Sequence, residues 1–266
     1  MKITPISSAV NPLLKRIRSL HQRAAREKSG LFLVEGAKVV NEALSKGLRI
    51  KDVLVSQSFL KAGLGASHTA DIPAICVVDD KQFRELSPSG TSCGIIATAE
   101  IRQWSPESLF RATPTLVLIA HAIQDPGNLG TMLRTALAAR ASGMILTKGT
   151  VDPYNPKVVR SAAGALFALP LVYDITIEQA IQMVRDRGLS VITCDPEAKR
   201  PFWELDMLGP AALVFGNEGQ GFAGNVLELS DASVSIPMEK ECESLNVAVS
   251  AAIIMFEVAR QRFFAR

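Results

Sequence analysis

The feature that most constrains the fold of this 266-residue chain is the alternation of short apolar runs with helical segments in its second half. Near-continuous apolar runs are typical of parallel strands that helices cover on both faces. The predicted strands are 115–120, 143–147, 169–173, 190–194, 211–215 and 232–236, and the predicted helices are 129–140, 156–166 and 177–187. We therefore expect an α/β fold with a parallel sheet, whose ligands bind beyond the carboxyl ends of the strands.

The first half predicts a second, smaller α/β unit. Strand candidates at 31–34, 50–55, 74–78 and 94–99 alternate with helical segments at 36–46 and near residues 58 and 80. The stretch 102–114 contains two prolines and has no clear periodicity, as in a linker. We predict one domain over 1–105, a linker over 106–114 and a second domain over 115–266.

Composition excludes several classes of protein. No apolar run approaches the roughly 18 residues that a membrane span requires, and the N-terminus lacks the apolar core of a secretory signal. The four cysteines have no CxxC spacing and the three histidines are dispersed, so we predict reduced thiols and no metal. We expect a soluble cytoplasmic protein without a membrane partner.

Positive charge is concentrated near the N-terminus. Residues 15–28 carry six basic side chains against the single acid Glu27, although the whole chain has a net charge of only +3. A helix beginning at Asn11-Pro12 would pack an apolar face that includes Leu14 and Ile17 and expose the basic one. Such a face is either ordinary solvated surface or a surface for phosphates, and the pattern leaves both open.

Two segments that follow predicted strands contain candidate functional residues. In the first, Pro126 and Gly127 form a turn, Asn128 can cap a helix, and Arg134 follows nearly two turns later. In the second, the glycines of 216–221 surround Glu218, which permits close approach of backbone to a ligand. It fits neither the P-loop nor the GxGxxG pattern and could be a simple glycine-rich turn.

The third candidate segment lies near the C-terminus. The sequence Ile236-Pro237-Met238 precedes Ser244 and Asn246, which we expect in the first turn of a long apolar helix. Hydrogen-bonding side chains there meet the unpaired N–H groups of the helix. The alternative is a buried last helix that merely has a serine cap.

Together the three segments resemble the signature motifs of the SpoU (TrmH) family of RNA ribose 2′-O-methyltransferases, in the SPOUT superfamily. The pattern N-x-G-x-x-x-R-T-A matches residues 128–136, G-N-E-G-x-G matches 216–221, and I-P-M with S-L-N-V matches 236–238 and 244–247. The segment 157–165 also looks like one that the family carries between its first two motifs. Lys240 is a departure, since members often have glycine there.

The resemblance covers residues 115–266 and implies a C-terminal SPOUT-type domain with a deep trefoil knot. The N-terminal half resembles the substrate-binding domain of rRNA-directed members, a small α/β RNA-binding fold similar to certain ribosomal proteins. The family implies S-adenosylmethionine as cofactor, RNA as partner, with large-subunit rRNA favoured, no DNA partner, and active sites formed across a homodimer.

By matching position, the resemblance also implies the site residues. Those expected to bind the cofactor are Thr193, Cys194, Gly216, Asn217, Gly221, Ile236, Met238 and Leu245. Those expected to be catalytic are Asn128, Arg134, Glu218, Ser244 and Asn246. On the same interpretation, and not by matching position, the basic N-terminal cluster and one arginine between the first two motifs are expected to bind RNA: Lys15, Arg16, Arg18, Arg23, Arg26 and Arg160.

The family assigns activation of the ribose hydroxyl to the arginine here numbered Arg134. An arginine guanidinium is a very weak acid and stays charged in proteins at neutral pH. Our hypothesis is therefore that Arg134 holds an RNA phosphate and stabilises the developing alkoxide, while the other catalytic residues orient it and the ribose. The alternatives are a tRNA 2′-O-methyltransferase, a base methyltransferase on the same fold, and a non-catalytic RNA-binding or ribosome-assembly factor. Retention of the motif residues disfavours the last.

Overall fold

The computed structural model describes the chain except for residues 1, 9, 64–73, 88–92, 218–221, 223–225, 240, 243 and 265–266. The chain divides into two compact units. The first unit is Met1–Gln103 with Asp152–Phe167, and the second is Trp104–Val151 with Ala168–Arg266. Residues 152–167, which the predicted bounds put in the C-terminal domain, thus pack within the first unit. The division into domains at 1–105 and 115–266, with a linker over 106–114, stays a prediction.

The secondary-structure elements of both units alternate largely between strands and helices along the chain. Up to residue 103 they are β1 (Lys2–Pro5), α1 (Pro12–Ser19), α2 (Arg23–Ser29), β2 (Leu31–Glu35), α3 (Ala37–Ser45), β3 (Ile50–Ser56), α4 (Gln57–Ala62), β4 (Ala74–Val78), α5 (Asp80–Leu86) and β5 (Ile95–Glu100). The next are a 3-10 helix (Pro106–Phe110), β6 (Leu116–Ala120), α6 (Pro126–Ala138), β7 (Gly143–Thr147), α7 (Pro156–Ser161), α8 (Ala165–Ala168), β8 (Leu171–Ile175) and α9 (Ile177–Arg185). The last are β9 (Ser190–Cys194), a 3-10 helix (Phe202–Glu204), β10 (Ala211–Phe215), β11 (Ala232–Val234), α10 (Val247–Ala259) and a π-helical turn (Arg260–Phe264).

The first unit is built on a sheet of order β1-β4-β3-β5-β2, in which β1, β4 and β3 are parallel and β5 is antiparallel to β3 and β2. The four strands predicted in this half are confirmed, and β1 was not predicted. Helix α7 packs against the edge strand β2. There the Phe32 ring contacts Tyr154, with ring centroids 4.9 Å apart, and Phe167 at 6.1 Å. Covering an edge in this way removes its unpaired backbone from solvent.

The basic N-terminal segment forms two helices, so the prediction of one continuous helix is wrong. Helix α1 begins as predicted, because the Asn11 side chain accepts a hydrogen bond from Leu13 N and Pro12 occupies the first turn. It ends at Ser19, and α2 starts at Arg23. The Arg26 guanidinium of α2 stabilises the connection between the two helices, because it donates hydrogen bonds to the carbonyls of Leu20 at 2.8 Å and His21 at 3.0 Å.

Arg26 is a structural residue, which corrects the prediction that it contacts RNA. Its side chain is 3% exposed and forms an ion pair with Asp152, with Nε donating to Oδ2 at 2.8 Å. A buried guanidinium with a carboxylate counter-charge and four of its five N–H donors occupied in this way is poorly placed to bind a phosphate. The pair instead joins α2 to the segment that precedes α7.

The sheet of the second unit is entirely parallel, with the order β11-β9-β10-β6-β7-β8. This confirms the parallel α/β prediction. The predicted helix 156–166 is interrupted between α7 and α8, where Ala163 and Gly164 have positive φ. A Cβ on Gly164 would lie 2.3 Å from Glu42 Cγ, so the backbone at the break packs closely against the Glu42 side chain within the first unit. The predicted linker contains a 3-10 helix whose Leu109 is part of the buried core.

The C-terminal helix is fixed at its far end by Arg262. This buried guanidinium donates to the carbonyls of Met207 at 2.8 Å and Thr115 at 3.3 Å, and also to Gly209 O. Burial lowers the pKa of Arg262 to about 10, so the side chain stays charged at neutral pH. Helix α10 is thereby anchored beside the amino end of β6.

Among the described residues, no helix combines the length and apolar character needed to cross a membrane. Within the same residues, no cluster of three or more His, Cys, Asp or Glu side chains could hold a metal ion.

Neutralising Asp152 tests the structural role of Arg26. The substitution Asp152→Asn leaves the buried guanidinium without a counter-charge, so we expect the free energy of unfolding to fall by about 3 to 5 kcal/mol. The control is Arg23→Ala, which breaks the exposed Arg23–Glu27 pair and should cost less than about 1 kcal/mol. Urea denaturation measures both, and equal losses would contradict the structural role of Arg26.

Candidate active site

A cavity of about 440 Å³ lies at the carboxyl ends of three neighbouring strands of the second unit. The last residues of β9, β10 and β11 all line it: Cys194, Phe215 and Val234. In the sheet Cys194 is paired in register with both Phe215 and Val234, so the three strands end level. This is the edge of a parallel sheet at which ligands are expected.

The cavity wall combines apolar side chains with a few polar groups. Its lining residues are Cys194, Asp195, Pro196, Glu197, Phe215, Gly216, Asn217, Phe222, Leu227, Val234, Ser235, Ile236, Met238, Ser244, Leu245, Val247, Ser250 and Ile254. A second cavity, of about 490 Å³, shares part of this wall, including Glu197 and Met238. A wall that combines apolar side chains with several polar groups can hold a small organic ligand that has both apolar and polar parts.

Most of the predicted cofactor-binding residues line this cavity. They are Cys194, Gly216, Asn217, Ile236, Met238 and Leu245. Thr193 does not: it is fully buried within β9, and its hydroxyl donates to Ala232 O at 3.3 Å. Gly221 and the predicted catalytic residue Glu218 lie outside the described residues.

Sequence reasoning missed the contribution of α10 to the wall. Val247, Ser250 and Ile254 face the cavity at helical spacing, and that spacing was the signal available in the sequence.

Cys194, the last residue of β9, also lines the cavity, and burial raises the pKa of its thiol. This thiol therefore stays protonated and contributes a small neutral surface and no nucleophile.

The predicted helix caps are shifted by a few residues. Asp125, and not Asn128, caps α6: its carboxylate accepts from Asn128 N at 2.8 Å. Asn246, and not Ser244, caps α10, accepting from Ala248 N at 2.9 Å. Ser244 instead lines the cavity just before the helix.

The first and third motifs meet through two asparagines. Asn246 Nδ2 donates to Asn128 Oδ1 at 2.9 Å, although 118 positions separate them in the chain. The second motif is tied to the segment that leads from β6 into the first motif, since Asn217 Nδ2 donates to Ala122 O at 2.9 Å. The three predicted segments thus converge on one edge of the sheet.

Arg134 is not part of the cavity wall of its own chain. Its side chain is exposed on α6 and makes no hydrogen bond or ion pair with any residue that the structure describes. Six residues along a helix correspond to a rotation of about 120° away from the starting face, so Arg134 and Asn128 point in different directions. Within the chain, the structure brings Asn128, Ser244 and Asn246 to the cavity region but leaves Arg134 outside.

The predicted RNA-binding side chains differ in their availability. Arg16 is paired with Asp52 at 2.7 Å, and Arg23 with Glu27 at 2.6 Å. Arg18 is half-buried, whereas Lys15 and Arg160 are exposed and form no ion pair with a described residue. Sequence position alone gave no sign of the Arg16–Asp52 pair, because the two residues belong to different elements.

Comparisons with known proteins match both parts of the chain. The model of the SpoU rRNA Methylase family matches residues 115–256, and that of the MRM3-like substrate binding domain matches residues 11–97. An uncharacterized tRNA/rRNA methyltransferase of Synechocystis sp. is 34% identical across 99% of this chain and 96% of its own length. The 23S rRNA (guanosine(2553)-2′-O)-methyltransferase RlmP of Bacillus subtilis is 34% identical across 95% of this chain and 98% of its own.

Solved structures are similar over nearly the whole chain. The SpoU methyltransferase AviRb from Streptomyces viridochromogenes, in complex with the cofactor AdoMet, has a TM-score of 0.87 at 25% identity and covers 94% of this chain and 98% of its own. An AdoMet-bound rRNA methyltransferase from Sinorhizobium meliloti has a TM-score of 0.83 at 29% identity and covers 97% of this chain and 98% of its own.

The cap assignment of α10 can be tested by stability measurements. Asn246→Ala removes the capping oxygen and should lower the free energy of unfolding by about 1 kcal/mol, whereas Asn246→Asp keeps that oxygen and should cost less. Ser244→Ala is the control, since Ser244 is not the cap and its removal should be nearly neutral. Urea denaturation of the three variants gives the comparison. A loss in Ser244→Ala equal to that in Asn246→Ala would contradict the assignment.

Proposed function

Since the chain belongs to the SpoU rRNA methylase family, we propose that it transfers a methyl group from S-adenosylmethionine to a ribose 2′-hydroxyl of ribosomal RNA. The observation that carries the proposal is the cavity at the carboxyl ends of β9, β10 and β11, where motif residues from distant parts of the chain converge. The large-subunit rRNA is the favoured target, because the Bacillus relative is a 23S rRNA methyltransferase.

The cavity fits the methyl donor in size and chemistry. Its volume of about 440 Å³ lies within the range of roughly 300–1,000 Å³ for small-molecule sites. Ile236 and Leu245 offer apolar walls for the adenine, and Gly216 lets a ligand approach the backbone. The carboxylates of Asp195 and Glu197 favour a positively charged ligand. When bound, S-adenosylmethionine supplies an electrophilic methyl group on a positively charged sulfur.

We assign Arg134 to the RNA side of the reaction. As a cation, its guanidinium holds a phosphate and stabilises the negative charge that develops on the ribose oxygen. The linked Asn128 and Asn246, together with Ser244 at the cavity, orient the ribose by hydrogen bonds. Glu218 is also assigned to orienting Arg134 and the ribose.

The protein acts as a homodimer in this proposal. Val249, Ile253 and Phe256 form an exposed apolar stripe on α10, and Leu137 is exposed on the neighbouring α6. Exposed apolar stripes of this kind mark interfaces, and a second copy of the chain covers them in a two-fold arrangement. Arg134 lies one helical turn before Leu137, so docking there carries it toward the partner's site. The trefoil knot and a cytoplasmic location remain parts of the proposal that depend on family membership.

The first unit positions the RNA. Residues 11–97 match a substrate-binding domain, and we propose that residues 1–105 act as one. Lys15, Arg18 and Arg160 contact the RNA backbone, a contact that gives affinity and position more than sequence choice. Arg16 and Arg23 would have to exchange a carboxylate for a phosphate, so their contributions are smaller.

Replacing Arg134 tests the proposed chemistry. With labelled S-adenosylmethionine and rRNA, Arg134→Ala should lower the single-turnover rate by about 10²- to 10³-fold, because a charge-stabilising donor is lost. Arg134→Lys should recover only a small part, since the planar guanidinium fork is missing. Arg187→Ala, which removes another partly exposed arginine of the same unit, is the control. A near-normal rate in Arg134→Lys would contradict the role of the fork.

The position of the label separates the alternatives. Nuclease-resistant dinucleotides identify 2′-O-methylation, whereas label in a base indicates a base methyltransferase. Efficient labelling of tRNA in place of rRNA supports a tRNA 2′-O-methyltransferase. Tight binding of S-adenosylmethionine without transfer to any RNA supports a non-catalytic assembly factor.

The RNA surface is tested by salt dependence. Lys15→Ala and Arg160→Ala should each weaken RNA binding and reduce the slope of log affinity against log salt concentration by about 1, while leaving binding of S-adenosylmethionine intact. Arg49→Ala, at a highly exposed arginine outside the predicted set, is the control and should leave the slope unchanged. Unchanged slopes in the first two variants would show that these residues are only solvated surface.

A further inference from the structure

We infer that residues 147–151, the last residue of β7 and the turn that follows it, form a positioning element for the methyl-donor cavity. The Thr147 hydroxyl is the central group of this element. This turn lies in none of the three motifs and does not line the cavity. The inference rests on the proposed function, because it concerns the shape of the site that receives S-adenosylmethionine. Its residues belong to the second unit.

The turn holds the segment that leaves β6 at three successive points. The Thr150 hydroxyl donates to Ala120 O at 3.1 Å. Thr147 Oγ1 accepts from Ala122 N at 3.3 Å. The backbone of Val151 then donates to Ile123 O at 2.8 Å. The path of residues 120–123 is therefore fixed by its neighbour in the sheet before α6 begins.

Ala122 is the residue that most needs this support. Its φ of +55° lies in the left-handed region, which residues with a side chain seldom adopt unless surrounding contacts hold them there. Thr147, which is 2% exposed, supplies such a contact through its hydroxyl. His121 completes the arrangement, with Nδ1 lying 2.9 Å from Thr147 Oγ1. Burial lowers the pKa of His121, against an opposing effect of Glu178, so the ring is neutral at neutral pH.

The same backbone unit reaches the cavity. The Ala122 carbonyl accepts from Asn217 Nδ2 at 2.9 Å, and Asn217 lines the cavity directly after β10. If Ala122 left the left-handed conformation, its carbonyl would turn away from that amide. Thr147 thus acts on the cavity through Ala122 and Asn217, and it is a positioning residue that touches no reacting atom.

The plainer explanation is that Thr147 is a buried hydroxyl that contributes only stability. Thr115 provides a matched control for that explanation. It is 8% exposed, and its hydroxyl donates to Ala112 O at 2.7 Å. Thr115 lies just before β6, at the amino ends of the strands of the same sheet, whereas the cavity lies at their carboxyl ends. Replacing it with valine removes a comparable buried hydroxyl without touching residues 120–123.

Titration calorimetry with S-adenosylmethionine tests the inference. Thr147→Val should raise the dissociation constant about tenfold, the size expected when one positioning hydrogen bond is lost. Thr147→Ser, which keeps the hydroxyl, and Thr115→Val should bind like the unaltered protein. In the Asn217→Ala background, Thr147→Val should add no further loss, because the two residues act in one chain of contacts. Equal weakening by Thr115→Val, or full additivity with Asn217→Ala, would overturn the inference.

A second measurement does not depend on binding of the methyl donor. In the ligand-free protein labelled with 15N-asparagine, Thr147→Val should shift the Asn217 side-chain amide resonances and speed their exchange with water, whereas Thr147→Ser and Thr115→Val should not. If the unaltered protein bound no S-adenosylmethionine, the proposed function would fail while this spectrum still decided the role of Thr147. Unchanged Asn217 resonances in Thr147→Val would overturn the inference.

Discussion

The insertion of β10 between β9 and β6 is the constraint on which the rest of the catalytic unit depends. In this position Phe215 is paired in register with Ala120 on one side and Cys194 on the other. Strands that are distant along the chain therefore end at one level, and the segments that follow them share one edge of the sheet. The cavity exists because the segments after β9, β10 and β11 leave that edge together.

Side-chain contacts then hold these segments in one arrangement. Asn246 donates a hydrogen bond to Asn128 of the first motif, and Asn217 donates one to Ala122 in the segment just before that motif, so both contacts join distant stretches of the chain. Asn246 also caps α10, which makes the same residue responsible for the start of the helix and for the contact between motifs. A methyl transfer requires reactants held in a narrow range of positions, and a scaffold with fixed loops provides this.

The sequence predicted the strands best, because their signal is local. The runs at 143–147, 190–194 and 211–215 are buried strands with those bounds in the structure, since helices cover both faces of the sheet. Helix starts were less predictable where several capping residues lie close together, as with Asp125 and Asn128. The role of Arg26 could not be inferred, because its partner Asp152 lies 126 positions away. The motif residues indicated the cavity, whereas the wall from α10 and the support from Thr147 depend on tertiary contacts that no local pattern records.

A crystal structure of the protein in complex with S-adenosylhomocysteine would test most directly whether the methyl donor binds at the carboxyl ends of β9, β10 and β11. We expect density for the adenosyl group in the cavity, in contact with Gly216, Ile236 and Leu245, and a sulfur atom facing the ribose-binding side near Ser244 and Asn246. Density for the ligand at any other place on the protein would contradict it.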